Sequence, residues 1–221
     1  MDRSESHLIF VTGGARSGKS AYAERLAMQL SGQCGGRVVY LATCEVNDPE
    51  MVSRVTMHRA KRSGSWTTVE CPLEVAAAVR EHGGPAAPDA VFLLDCVSFW
   101  VSNLIFSSGD HGGAAPPEEG FNYDDSLLTA EQERAASRRV SDAVDDLLAA
   151  LAETGVMLIT VTNEVGMGVV PEYPLARLYR DQLGWANQRL AAAAGRAVLL
   201  VSGLALDLKV QPPADAQEVT R

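Results

Sequence analysis

Residues 13–20 read Gly13-Gly14-Ala15-Arg16-Ser17-Gly18-Lys19-Ser20, and they directly follow an apolar run at residues 8–12. Two glycines, a lysine and a hydroxyl at this spacing form the phosphate-loop pattern. The glycines let the backbone curl so that its N–H groups converge on phosphate oxygens, and the following helix adds the positive end of its dipole. Lys19 would neutralise the outer phosphates, and the Ser20 hydroxyl is placed to hold Mg²⁺. The pattern therefore predicts a binding site for a nucleoside triphosphate.

Short apolar runs and helical segments alternate along the rest of the chain. We predict strands over residues 8–12, 38–43, 66–70, 91–95, 157–162 and 197–202. We predict helices over residues 19–30, 49–62, 73–82, 129–153 and 175–194. This alternation favours an α/β fold with a mostly parallel sheet and helices on both faces. A single domain over 1–221 is expected, with its core at about 8–208, a polar loop at 107–125 and a weakly ordered tail at 209–221.

The overall charge narrows the class of partner. The 221 residues carry a net charge of −9, which argues against a nucleic-acid partner held by a broad basic surface. We predict no membrane span and a cytoplasmic location, because no apolar run approaches bilayer length and the N-terminus lacks a signal-peptide pattern. The four cysteines are widely spaced, so neither a zinc site nor a disulfide framework is expected.

Asp95 ends the buried run at residues 91–95. Phosphate-loop proteins bring a carboxylate beside the loop at such a strand end, where it binds the metal directly or through water. Asp95 is therefore the predicted metal-side carboxylate. The alternative is that Asp95 caps a helix beginning near Val97.

His58 lies among cations on the predicted helix 49–62. Arg54, His58 and Arg62 recur every four residues, which places them on one helix face. Neighbouring cations disfavour the imidazolium form, so they keep a ring lone pair available while also attracting phosphate. These are the properties of a histidine that attacks phosphorus. The alternative is a packed histidine beside a solvated basic face.

Several stretches taken together resemble one family. They are the phosphate loop with Thr12, His58, and the segments Tyr40-Leu41-Ala42-Thr43, Asn163-Glu164-Val165-Gly166-Met167-Gly168-Val169-Val170-Pro171 and Asn187-Gln188-Arg189-Leu190-Ala191. The chain resembles the bifunctional adenosylcobinamide kinase and adenosylcobinamide-phosphate guanylyltransferase family of cobalamin biosynthesis over about residues 8–208. The resemblance implies a RecA-like P-loop NTPase fold and a homotrimer. It also implies two reactions, which are phosphorylation of adenosylcobinamide by ATP or GTP and then transfer of GMP from GTP.

The resemblance also assigns roles to individual residues. His58 matches the histidine that carries GMP covalently, and Lys19 and Ser20 match the loop's catalytic lysine and Mg²⁺-binding hydroxyl. Nucleotide contacts are implied at Gly13, Gly14, Ala15, Arg16, Ser17, Gly18, Lys19, Ser20, Ala42, Thr43, Cys44, Arg59, Ala60, Lys61, Arg62, Glu70 and Asp95.

Some residues and functions stay open at this point. Glu164 follows the strand 157–162 in a glycine-rich turn, where it would hold Mg²⁺, orient the acceptor hydroxyl or cap the turn. Arg177, Arg180 and Arg189 lie on the last predicted helix. They would either neutralise phosphate or lie on the surface, and we favour the surface role. Two other functions compete with the bifunctional enzyme: a small-molecule kinase without a covalent step, and a nucleotide-driven switch or RecA-like assembly protein.

Overall fold

The computed structural model describes residues 7–34, 36–44, 66–84, 89–107 and 129–209. The predicted helix 49–62, most of the predicted loop 107–125 and the tail beyond residue 209 lie outside the described residues. The single-domain organisation stays a prediction.

Seven strands form one sheet in the order β3-β2-β4-β5-β1-β6-β7. The first six pair in parallel, while β7 runs antiparallel to β6. All six predicted strands are confirmed. The bounds of all seven strands are β1 Leu8–Gly13, β2 Val38–Ala42, β3 Thr67–Glu70, β4 Val91–Asp95, β5 Met157–Val161, β6 Arg196–Val201 and β7 Leu204–Asp207.

Helices cover both faces of the sheet. The side chains of β4 alternate between two buried clusters: Phe92 and Leu94 pack with α2 to α5, and Leu93 packs with α1. The predicted α/β class, with a mostly parallel sheet and helices on both faces, is confirmed. The helices are α1 Lys19–Cys34, α2 Val75–His82, α3 Val97–Phe106, α4 Ala130–Thr154 and α5 Pro174–Ala193.

Local signals set the ends of the long helix α4. The Gln132 N–H donates to the Thr129 hydroxyl and the Thr129 N–H donates to the Gln132 side chain, which confirms a capping box. Gly155 ends the helix with φ 67, a left-handed conformation that glycine adopts without strain. Helix α5 ends at Ala193 with Ala194 as its C-cap, and Gly195 lies directly before β6 and donates its N–H to the Leu8 carbonyl oxygen.

Strand β7 was missing from the predicted set, and α3 was absent from the predicted helices, although the alternative for Asp95 included a helix near Val97, where α3 begins. Helix α3 follows β4 after one residue, with Cys96 as its N-cap, so the alternative in which Asp95 caps this helix is not what the structure shows. Strand β7 follows a two-residue turn at Ser202 and Gly203, whose φ values of 52 and 83 suit a tight hairpin. The parallel sheet therefore has an antiparallel edge strand.

Candidate nucleotide-binding site

The phosphate loop connects the end of β1 to the start of α1. Gly13 is the last residue of β1, and Lys19 and Ser20 are the first residues of the helix. Gly18 has φ 91, a conformation that favours glycine, and Arg16 has φ 56. A Cβ at Gly13 would lie 2.5 Å from the Leu200 carbonyl oxygen, so this position accommodates only glycine without a shift of the backbone. The backbone path of the predicted loop is thus present.

Lys19 lies over its own loop. Its Nζ donates to the Gly14 carbonyl oxygen at 3.1 Å. Partial burial lowers the pKa of Lys19, while nearby Cys96 and Asp95 act in the opposite direction. A lysine held at the loop with Asp95 in electrostatic range is the arrangement that the prediction required for triphosphate and metal.

The predicted site residues from three other strands lie at the same edge as the loop. Ala42, Glu70 and Asp95 are the last residues of β2, β3 and β4, and Ala42 is in register with both of the others. Because parallel strands place their carboxyl ends at one edge, these positions and the loop border a common crevice. The structure thus places these residues along one edge of the sheet, and their contact with a nucleotide stays a prediction.

Thr43 and Cys44 continue the chain beyond β2. The buried Thr43 hydroxyl donates to the Cys96 carbonyl oxygen at 2.7 Å and accepts the Cys96 N–H at 2.9 Å. Asn103 of α3 donates to the Thr43 carbonyl oxygen at 2.8 Å. The connection after β2 is thereby fixed to the connection after β4, next to Asp95.

The hairpin between β6 and β7 supports the phosphate loop from the other side. The Gly203 N–H donates to the Ser17 carbonyl oxygen at 2.9 Å. Within the described residues, the buried side-chain hydroxyls of Thr12 and Ser17 make no hydrogen bond. Buried polar groups are normally paired, so partners for these two are expected when the loop binds a ligand or changes shape.

The turn after β5 lies directly beside the loop. Thr162 and Glu164 donate their N–H groups to the carbonyl oxygens of Val11 and Gly13, at 3.0 Å and 3.2 Å. These bonds continue the β1–β5 ladder past the strand ends. The Glu164 carboxylate accepts the Gly166 N–H at 2.7 Å, so the turn-capping role considered for it is present.

A buried polar network holds this turn from behind. The Ser98 hydroxyl accepts the Asn163 N–H at 2.8 Å, and Asn187 donates to the Asn163 carbonyl oxygen at 3.1 Å. The Thr162 hydroxyl donates to the Asn187 side-chain oxygen at 2.8 Å. Tyr179 also bonds Ser98, and burial raises the pKa of Tyr179 to about 12, so it stays protonated. Residues of α3 and α5 thus fix the backbone that precedes Glu164.

Sequence reasoning missed the members of this network as functional candidates. Ser98 lies on the helix that was not predicted, and Asn187 was noted only as part of a motif. A short polar side chain in an apolar helix stripe, such as Asn187 between Leu183 and Leu190, was the available signal. The arginines of α5 take the surface role that was favoured. Arg180 and Arg189 pair with Asp181 and Asp145.

Mg²⁺ was predicted at Ser20 and Asp95. A hydroxyl, a carboxylate, phosphate oxygens and water make an all-oxygen donor set, which suits a cation that takes few protein ligands. Ser20 lies in the first turn of α1, and Asp95 is the last residue of β4. Helix α1 and strand β4 are in contact. The described residues contain no cluster of three or more His, Cys, Asp or Glu that would bind a metal without such phosphates.

His58, Arg59, Ala60, Lys61 and Arg62 lie outside the described residues. Their roles as nucleophile and nucleotide contacts therefore stay predictions.

Known proteins decide the family. A model described as cobinamide kinase / cobinamide phosphate guanyltransferase, CobU, matches residues 9–208. The chain belongs to the CobU family. The resemblance predicted from the motifs is confirmed.

Relatives of the CobU family match over nearly their whole length. The bifunctional adenosylcobalamin biosynthesis protein CobU of Salmonella typhimurium is 40% identical over 202 residues, covering 91% of this chain and 99% of the relative. CobU of Escherichia coli is 39% identical with the same coverage. CobP of Pseudomonas aeruginosa is 36% identical, covering 91% of this chain and 97% of the relative.

Among solved structures, the flagellar accessory protein FlaH of Methanocaldococcus jannaschii matches with a TM-score of 0.44 and 17% identity, covering 94% of this chain and 80% of FlaH. Across the part of the chain that the structure describes, none of the helices has the length and apolar character that a bilayer crossing requires.

Proposed function

We propose that this chain phosphorylates adenosylcobinamide with ATP or GTP and then transfers GMP from GTP to the new phosphate, yielding adenosylcobinamide-GDP and pyrophosphate. The observation that carries the proposal is the phosphate loop at the carboxyl edge of the sheet, with Lys19 and Asp95 beside it, in a chain of the CobU family. Both reactions make up one late stage of cobalamin assembly.

In the kinase step, the triphosphate lies on the N–H groups of residues 13–20, with the start of α1 beneath it. The lysine releases the Gly14 carbonyl oxygen and turns to the outer phosphates, which have the stronger charge. Ser20 and Asp95 hold Mg²⁺, which when bound neutralises charge on the phosphate oxygens. The acceptor hydroxyl displaces the nucleoside diphosphate from the γ-phosphorus.

In the guanylyl step, an imidazole nitrogen of His58 attacks the α-phosphorus of GTP. The bond from that phosphorus to the bridging oxygen breaks, and pyrophosphate leaves. An oxygen of adenosylcobinamide phosphate then attacks the same phosphorus and displaces the histidine. The covalent intermediate divides one transfer into two, and the cations around His58 favour its neutral, nucleophilic form.

The products separate this proposal from its two alternatives. The protein is incubated with adenosylcobinamide, Mg²⁺ and GTP, and the corrinoid products are identified by mass spectrometry. We expect the phosphorylated corrinoid first, then the GDP-linked corrinoid with an equal amount of pyrophosphate. A phosphorylated corrinoid that never acquires GMP would leave only the small-molecule kinase. GTP hydrolysis without any corrinoid product would favour the nucleotide switch.

We also propose a homotrimer in the cytoplasm. Four apolar side chains, which we call the β7 strip, are 50% to 76% exposed in the described structure and alternate along the edge hairpin: Val201, Leu204, Leu206 and Leu208. A contiguous exposed apolar patch is typical of an association surface. Light scattering should give three times the mass of one chain. Leu206→Lys should lower the measured mass, because it places a charge on this apolar surface. Val169→Lys, at another exposed apolar position, is the matched control.

A further inference from the structure

Glu164 is a carboxylate whose own backbone bonds directly to the phosphate loop. Strand β5 lies between β1 and β4 in the sheet, so the turn after β5 lies between the loop and Asp95. The Glu164 N–H donates to the Gly13 carbonyl oxygen at 3.2 Å. This position therefore lies along the carboxyl edge of the sheet, where open α/β folds bind their ligands.

The backbone that carries Glu164 is held in place. Ser98 and Asn187, from two different helices, bond the peptide groups of Asn163 at 2.8 Å and 3.1 Å. Sites that act on a reacting atom need this kind of support, because small displacements of a catalytic group are costly.

The Glu164 carboxylate is capable of accepting a proton. Its Oε1 accepts the Gly166 N–H at 2.7 Å. Its Oε2 makes no hydrogen bond within the described residues, and the side chain is only partly buried. A carboxylate with one oxygen oriented and one available is suited to general-base chemistry.

Two other described carboxylates at this edge are less suitable. Asp95 lies close enough to Lys19 for their charges to interact and is the proposed metal ligand. Glu70 ends β3, which β2, β4 and β5 separate from β1. Four strand spacings amount to about 19 Å, too far for a proton transfer at the γ-phosphate.

We infer that Glu164 is the general base of the kinase step, an inference that rests on the proposed function. Its carboxylate takes the proton of the acceptor hydroxyl while that oxygen bonds to the γ-phosphorus and the nucleoside diphosphate leaves, and the proton then passes to water. The guanylyl step needs no such base, because its acceptor is a phosphate whose oxygen is already ionised. Glu164 therefore serves one of the two reactions.

The test uses Glu164→Gln and assays the half-reactions separately. Glutamine keeps an oxygen for the Gly166 N–H but does not accept the proton. We expect the kinase kcat to fall about 100-fold or more, with the KM for nucleotide and the rate of GMP transfer to preformed adenosylcobinamide phosphate changed less than about twofold. Glu172→Gln, in the same connection, is the matched control.

A second variant keeps the carboxylate but moves it. A Cβ at Gly166 would lie 2.9 Å from the Glu164 Oε1, so Gly166→Ala should also lower the kinase rate selectively. Equal losses in both half-reactions, or an unchanged kinase rate in Glu164→Gln, would overturn the inference and leave Glu164 as a turn cap. A wild-type protein that forms no phosphorylated corrinoid would instead contradict the proposed function.

Discussion

The Glu164 N–H donates to the carbonyl oxygen of Gly13, 151 residues earlier in the chain, over 3.2 Å. This bond joins the turn after β5 to the first residue of the phosphate loop. Behind the turn, hydrogen bonds from Ser98 and Asn187 to the Asn163 backbone tie it to α3 and α5. The loop and its neighbouring carboxylate are thus parts of one hydrogen-bonded unit.

Thr162→Val should destabilise the protein by about 1–3 kcal/mol, because it leaves the buried side-chain oxygen of Asn187 without its 2.8 Å hydrogen bond. Urea unfolding followed by circular dichroism measures the loss. Thr160→Val, two residues earlier in β5, is the matched control, because the Thr160 hydroxyl makes only a 3.4 Å bond to a backbone carbonyl. Equal losses in both variants would contradict a special role for the network.

Gly13→Ala should be destabilising by about 1–3 kcal/mol, because the added Cβ would meet the Leu200 carbonyl oxygen at 2.5 Å and force a backbone shift. Scanning calorimetry should show this destabilisation as a lower midpoint temperature of unfolding. A Cβ at Gly14 has no heavy atom within 4 Å, so Gly14→Ala should unfold near the wild-type temperature. The same stability for both variants would mean that Gly13 is not closely packed against β6.

The cysteines should differ in their reaction with iodoacetamide at pH 8. Burial raises the pKa of Cys71 and of Cys96 to about 12, so only about one thiol in ten thousand is ionised. Cys44 is partly exposed and lies at the predicted nucleotide contact, so we expect it to react and GTP to slow the reaction. Peptide mapping by mass spectrometry resolves the sites, and unfolding in urea should make all of them reactive. If saturating GTP left the labelling rate of Cys44 unchanged, the prediction that residues 42–44 contact the nucleotide would be contradicted.

Nucleotide affinity should weaken at alkaline pH. Burial lowers the pKa of Lys19 below the ordinary 10.5, so the lysine loses its proton and its charge before exposed lysines do. Phosphate binding needs that charge, and the Kd of a fluorescent ATP analogue, whose adenine does not titrate in this range, should therefore begin to rise below pH 10.5. Fluorescence anisotropy without added Mg²⁺ avoids precipitation of the hydroxide. Lys19→Arg stays charged across this range, so the same alkaline rise in that variant would contradict the assignment.

The sequence was sufficient for most of the sheet. Buried parallel strands are continuous apolar runs, so β1, directly before the loop, and β4, which ends at Asp95, were recognisable in the sequence. Strand β7 was missed because four alternating residues give a weak signal, although Ser202 and Gly203 carried the turn chemistry of a hairpin. Helix α3 was missed because its ten residues are mostly apolar and follow β4 without a polar break.

The site was predictable where a motif fixes the backbone and not where it depends on packing. The loop pattern identified Lys19 and Ser20, and the strand end identified Asp95. The contacts of Ser98 and Asn187 with Asn163 depend on how α3 and α5 lie over the sheet, which no local spacing encodes. His58 was identified by its neighbours in sequence and by the family resemblance, and its place relative to the loop stays a prediction.

The most direct test of the bifunctional account is the intact mass of the protein after mixing with GTP and Mg²⁺. We predict a gain of one GMP that is lost in acid, stable in alkali and absent from His58→Ala, while that variant still phosphorylates adenosylcobinamide. A wild-type mass that never increases during active guanylyl transfer, or an adduct that persists in His58→Ala, would contradict it.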